Sequence, residues 1–361
     1  MTLPTAPTTP PCSHFSRRFK WVALSVALTA LSTQPCRAED PKLCVFDLLG
    51  TAGDMFNASK DYALAMQSAG FGVTLKAYVD EHVAVEDFKA GQCDAVLATS
   101  FRTRAFNPVT ASTDAFGAAL ILRQGKVDHA AGHEVIRMAS QIFNAPSAAN
   151  MVVQGKYEMA GLIDVGAVYA IVRDKRMNTP EAMAGKKILA FDYDKAQGVL
   201  IQKAGAQPVT ADINNFANKF NNGMADMAAA PAMAFKPLEL LKGMGPNGAV
   251  CRFPYMIMSY QLIVDRTRWP SGFAQASRGY WFQHFDEVLA RISKAEADLP
   301  ASVWMDLSAE NTPKYAAFLR DTRVELTTQG VYNKQGLKLL KRIRCKLNPA
   351  DQECSMPIEM N

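Results

Sequence analysis

Histidine is scarce, five in 361 residues, and no Cys-x-x-Cys pair occurs, so neither a structural zinc site nor a thioredoxin-like redox centre is indicated. There is no Gly-x-Ser-x-Gly elbow and no His-Glu-x-x-His helix, which removes two common hydrolase signatures. The first strand-to-helix turn keeps only Gly50 and Gly53 of a glycine fingerprint, and Asp54 beside them would repel a phosphate; no nucleotide or other cofactor is expected. Sustained heptads are absent, so the long coiled-coil hairpins of an efflux adaptor are excluded. No internal repeat is found. An excess of one charge is missing too. The 39 Lys+Arg exceed the 34 Asp+Glu, but four of the basic residues, Arg17, Arg18, Lys20 and Arg37, fall in the first 38 positions, where no acid occurs. The rest of the chain is close to neutral, which argues against a nucleic-acid partner.

Those first 38 residues carry a different message. A basic patch precedes the apolar run Trp21 to Leu31, which is well short of the ~20 residues that span a bilayer. Cys36-Arg37-Ala38 then offers a small residue before a cleavage point. This is the layout of a secretory signal peptide over residues 1–38. Thr33-Gln34-Pro35-Cys36 is a poor lipobox, so cleavage after Ala38 and release into an oxidising periplasm is the expectation. The remaining chain, roughly 320 residues, exceeds the size at which single cores usually stop growing, so two lobes are expected.

Export makes the cysteines candidates for bridges. Outside the leader lie Cys44, Cys93, Cys251, Cys345 and Cys354. Cys44 and Cys93 sit at the starts of two strand-like runs, and neighbouring parallel strands would bring them together. Cys345 and Cys354 close a short loop. A Cys251–Cys345 bridge is an equally legal alternative to that second pair.

From Lys42 the pattern alternates strand, helix, strand, helix, strand, ending at Thr99. Such βαβ order implies a parallel sheet with helices on both faces. Ligands of open α/β sheets collect beyond the carboxyl ends of strands. Thr51, Ser100, Arg102 and Arg104 are placed there, the arginines either as anion anchors or as partners for lobe acids. Asp128 to Phe143 reads as a helix with His129 and His133 on one face. No third metal ligand has a claim, so a solvated or capping role is assigned to them. The basic cluster Lys338, Lys341, Arg342, Arg344 and Lys346 reads as a solvated helix face, with a docking patch as the alternative.

The middle of the chain resembles a family. Thr179-Pro180-Glu181-Ala182-Met183-Ala184-Gly185-Lys186-Lys187-Ile188, then Gly205-Ala206-Gln207-Pro208-Val209, then Phe220 to Met227 follow the order and spacing of the solute receptors of tripartite ATP-independent periplasmic (TRAP) transporters. The match covers about fifty residues. It implies a two-lobed, type II-like α/β binding protein with an interlobe cleft and bracing C-terminal helices. The first lobe is expected over 39–165, the second over 166–250, with 251–361 returning through a hinge strand. It also implies a small-molecule solute, commonly an organic acid, passed to membrane transporter subunits by a monomeric receptor that is not an enzyme. Two departures matter. The family's ligand-clamping arginine position is Leu189, and an asparagine position is Ala230. Losing a bidentate guanidinium weakens the case for a carboxylate ligand. Phe191, Asp192, Tyr193 and Asn214 are expected at the cleft from the second lobe, and Tyr255, Tyr260 and Gln261 from the hinge strand. Asp192 would suit an amine or hydroxyl, or would pair with Arg102 on closure. The alternative function is a non-transport interaction or sensor protein, efflux-associated, that keeps the fold.

Overall fold

The computed structural model describes residues 40–359; the signal peptide expected over 1–38 lies outside the described residues. One mixed sheet runs through the molecule. Its main strands are β1 (Lys42–Phe46), β2 (Thr74–Tyr78), β3 (Ala95–Thr99), β4 (Tyr157–Val172), β5 (Lys187–Phe191), β6 (Gln207–Ala211), β7 (Met227–Pro231) and β8 (Ala249–Asp265). They lie in the order β2-β1-β3-β8-β4-β7-β5-β6. Each outer trio is built from crossover units: β1 is parallel to β2 and β3, and β5 is parallel to β6 and β7. The antiparallel pair β8–β4 joins them.

These two strands are long because each serves both halves. The early part of β4 and the late part of β8 pair beside β3, through Tyr260↔Thr99 to Val264↔Ala95. The late part of β4 pairs with β7, Val172↔Met227 to Val168↔Pro231. The β8–β4 register shifts between Met258 and Ser259, opposite Gly166 and Asp164. Gly166 there has φ of 112°, a conformation that favours glycine. The apolar runs around Gly161 and Gly166 are thus one continuous strand. The lobe boundaries expected at 165/166 and 250/251 both fall inside strands.

Local chemistry explains the shorter elements. Asp80, Asp128, Asp194 and Asp212 cap the helices Glu81–Lys89, His129–Asn144, Lys195–Lys203 and Ile213–Asn221 by accepting backbone N–H bonds, satisfying donors the first turn leaves free. Thr179 Oγ1 accepts from Ala182 N at 3.1 Å, shaping the turn before β5. The aromatic residues 280–285 fall on two helices. Phe273–Gln283 and Phe285–Ala297 are separate, broken at His284. The first packs Trp281 on Tyr62, centroids 5.2 Å apart. The second reaches the other half, where Glu296 accepts from the Tyr169 hydroxyl at 2.7 Å. Asn311–Thr328 is a single helix.

Cys44 is bridged to Cys93 and Cys345 to Cys354, with Cα separations of 5.9 and 5.6 Å. Cys251 is buried and free. The C-terminal basic helix, Lys334–Leu347, departs from the expected solvated face. Lys341 and Arg344 are buried. Arg344 and Arg323 share the carboxylates of Glu353 and Glu359, and they donate to the Ala118 and Phe116 carbonyls at 2.7 Å each. Burying these cations demands such partners, and the sequence shows only their charge, not the tail that covers them. No helix among the described residues is long and apolar enough to cross a membrane.

Candidate functional site

A cavity of about 120 Å³ lies where the carboxyl ends of strands from both halves converge. β1 brings Phe46, β3 brings Thr99, β5 brings Leu189 and Phe191, and β7 brings Ala230. Met256, Met258 and Tyr260 of β8 form the floor between them. Strand ends suit this task because the sheet fixes their backbone while the last side chains project past it. The walls are mainly apolar. Both departures from the resembling family, Leu189 and Ala230, are in the lining. Among the described residues the only charged side chain in the lining is Glu81.

The polar residues expected to touch a solute instead join the halves at the rim. Arg102 lays its guanidinium over the Tyr193 ring, 3.2 Å from the centroid, and its Nε is 3.9 Å from Glu81. Arg104 bonds Asp114 at 3.0 Å and reaches Asp194 at 3.5 Å. Asn214 Nδ2 donates to Asp80 at 2.8 Å. Three of these contacts, Arg102–Tyr193, Arg104–Asp194 and Asn214–Asp80, link residues before 115 with residues after 190. Of the two roles open to the arginines, the structure gives them carboxylate partners. Burial pushes the Asp114 carboxyl up to about 6, with Arg104 opposing and Asp194 adding to the rise. Burial disfavours the charged Arg104, but the two carboxylates outweigh it and hold its pKa above the ordinary value.

The other expectations divide. Phe191, Tyr193, Tyr255 and Tyr260 line the cavity. Asp192 does not: it is exposed, and its backbone N–H bonds Ala211 O. One residue on, Tyr193 takes the inward direction and Asp194 turns back to cap a helix, so of three consecutive residues expected at the cleft the carboxylate of Asp192 is the one turned away. Arg102 therefore pairs with Tyr193 and Glu81, not with Asp192. Thr51 is exposed in a turn. Ser100 is fully buried and bonded to Ser259 Oγ at 2.7 Å, below the cavity lining. Asn214 is exposed at the seam. Gln261 is buried, accepting from Thr110 Oγ1 at 2.9 Å.

Sequence reasoning passed over Glu81, Thr99 and Gln197, all in the lining. Glu81 was not singled out among the residues of its short helix. Its signal was the short segment from Val79 to Val83, which places an acid directly beyond the end of β2. The histidines are also not solvated. His133 Nδ1 is 2.7 Å from Asp164 Oδ2, and His129 lies beside Tyr169. Burial disfavours the His133 cation, but the Asp164 carboxylate wins and holds the imidazole above its ordinary pKa.

This architecture recurs in solved structures. A TRAP periplasmic solute-binding protein from Desulfovibrio salexigens, with bound orotic acid, superposes with a TM-score of 0.67 at 11% identity, covering 85% of this chain and 99% of that one. One from a Bradyrhizobium species, in complex with galacturonate, gives 0.64 at 14% identity over 85% and 99%. At such identities the likeness is one of fold. Sequence relatives are nearer. The probable solute-binding protein AdeT1 of Acinetobacter baumannii is 40% identical over 312 residues, 86% of this chain and 99% of its own length. The probable solute-binding protein AdeT2 of the same organism is 27% identical over 216 residues, 60% of this chain and 91% of its own. The family model for solute-binding proteins AdeT 1/2 matches residues 63–359. With a fold shared with TRAP receptors and that match over most of its length, the chain belongs to the AdeT 1/2 solute-binding protein family.

Proposed function

We propose that this chain is a periplasmic receptor that closes its two halves over a small, largely apolar organic solute and presents it, as a monomer, to membrane transporter subunits. The observation that carries this reading is the apolar cavity at converging strand ends, sealed by contacts from both halves. Binding of this kind needs concave apolar walls and a few polar groups, and no catalytic step. The working lobes are 39–165 with 251–361, and 166–250. A void near 120 Å³ matches compact solutes: an engineered apolar cavity of about 150 Å³ holds benzene.

The fold neighbours hold an organic acid and a sugar acid. This lining has no arginine, lysine or histidine among the described residues, and Leu189 and Ala230 add apolar surface where the resembling family clamps a carboxylate. The interaction-protein alternative loses one of its motives, because Lys341 and Arg344 of the basic helix are engaged internally. Native mass spectrometry of freshly purified protein tests the receptor reading. A co-purified small molecule, lost on mild unfolding and rebound on refolding, is the expected result. A protein that never carries or rebinds any small molecule from its host's extract contradicts it.

A further inference from the structure

Among the described residues Glu81 is the one charged side chain in the cavity lining, and it bears directly on the head group of a solute. Glu81 opens the helix Glu81–Lys89 and is 3% exposed. Its Oε1 accepts the Thr99 N–H at 2.6 Å, and its Oε2 takes the Tyr193 hydroxyl at 3.3 Å. A carboxylate has about four lone-pair sites, so acceptor capacity remains. Beside it, Thr99 Oγ1 is buried against the Glu81 carboxylate and has no well-formed hydrogen bond among the described residues. A buried hydroxyl without a well-formed bond is costly, and a ligand group can satisfy it. Thr99 and Glu81 both line the cavity.

Charge counting then selects among head groups. Arg102, 3.9 Å from Glu81, balances its charge. A solute carboxylate would put a second anion against Glu81 with no spare cation in the lining. A solute ammonium would leave an uncompensated positive charge beside Arg102. Either imbalance in a desolvated site is expensive. A hydroxyl meets every condition: it donates one proton and accepts another bond while remaining neutral.

Resting on the reading of this cavity as the solute site, we propose that it selects a small apolar alcohol or phenol, whose hydroxyl donates to Glu81 and accepts from Thr99 Oγ1, and that it discriminates against carboxylates. The assignment departs from the acids held by the fold neighbours.

Calorimetric titration of the full exported chain, stripped of endogenous ligand, with four probes of one body size tests it: benzyl alcohol, toluene, benzylamine and benzoate. Benzyl alcohol should bind most tightly, about tenfold better than toluene, the yield of roughly one net hydrogen bond, and benzoate most weakly. Glu81→Gln keeps an acceptor for the Thr99 N–H and should cut the preference for alcohol over benzoate by tenfold or more. Thr99→Val should reduce the alcohol's advantage over toluene, with the melting temperature checking that each variant folds. Tightest binding of benzoate or benzylamine, or equal binding of alcohol and toluene, overturns the proposal and leaves the receptor reading standing. Binding of none of the four overturns both.

Discussion

The Arg102 guanidinium stacked 3.2 Å from the Tyr193 ring centroid is a single-residue latch joining the two halves of the sheet. Arg102 and Tyr193 were both expected at the cleft, and they meet there across the two halves, with Tyr193 also in the cavity lining. Asp192, expected beside them, turns outward because the loop after a strand has no pleat to fix its side-chain directions. A desolvated cation–π contact contributes up to about 2 kcal/mol. Arg102→Ala should therefore weaken solute binding by about 1–2 kcal/mol in a calorimetric titration with the recovered solute. Arg123→Ala should not, because Arg123 pairs with Asp128 at 2.8 Å on an exposed hairpin. Equal affinities for the two variants would place the latch elsewhere. Two buried acid–base contacts also predict opposite pH slopes. His133 has a raised pKa, so its stabilisation is complete below the ordinary histidine value and is lost as pH rises through the folded one. Glu359 is disfavoured by burial, but Arg323 and Arg344 outweigh this and lower its pKa. Its stabilisation is therefore present above the ordinary carboxylate value and lost as pH falls through the folded one. Denaturant melts across pH should show Glu359→Gln costing about 3 kcal/mol at neutral pH with a flattened acid limb, and His133→Gln flattening the limb above the ordinary histidine value. Unchanged limbs in both variants would contradict these pairings.

At the scale of elements, most of the fold was legible. The strands near 42–46, 74–78, 95–99, 187–191 and 227–231 and the capped helices between them followed from apolar runs punctuated by glycine and aspartate. The long strands were less legible. Gly161 and Gly166 look like breaks, yet β4 runs through both. Glycine is needed at 161 because a Cβ would come within 2.5 Å of the Trp281 ring, and at 166 because of its positive φ. These are tertiary reasons, invisible to a local pattern. Gly166 sits opposite the register shift where β4 passes between halves. Gly166→Ala should destabilise by about 1–3 kcal/mol, through the strained backbone and a Cβ 3.2 Å from Ile292. Thermal denaturation measures this, and a wild-type melting temperature would show that the position tolerates an ordinary residue.

At the scale of the molecule, the account is of two sheet halves sharing β4 and β8 and meeting at a rim above an apolar cavity. The departures at Leu189 and Ala230 were visible in the sequence, and both lie in the lining. The Glu81–Thr99 corner was not visible, because it arises only when β3 lies across β1 from the end of β2. The tail that neutralises Arg323 and Arg344 was equally hidden, since Glu353 and Glu359 lie 30 and 36 positions from Arg323. The proposed closure at the rim would desolvate the cavity and bring its few polar groups to full strength, so binding and shape should be coupled. Small-angle X-ray scattering of the exported protein, stripped of ligand and then saturated with the solute recovered by native mass spectrometry, tests this most directly. The account predicts a smaller radius of gyration in the saturated protein, with the Arg102→Ala, Arg104→Ala double variant remaining expanded at the same solute concentration. An unchanged radius of gyration at saturation in the unaltered protein would contradict it.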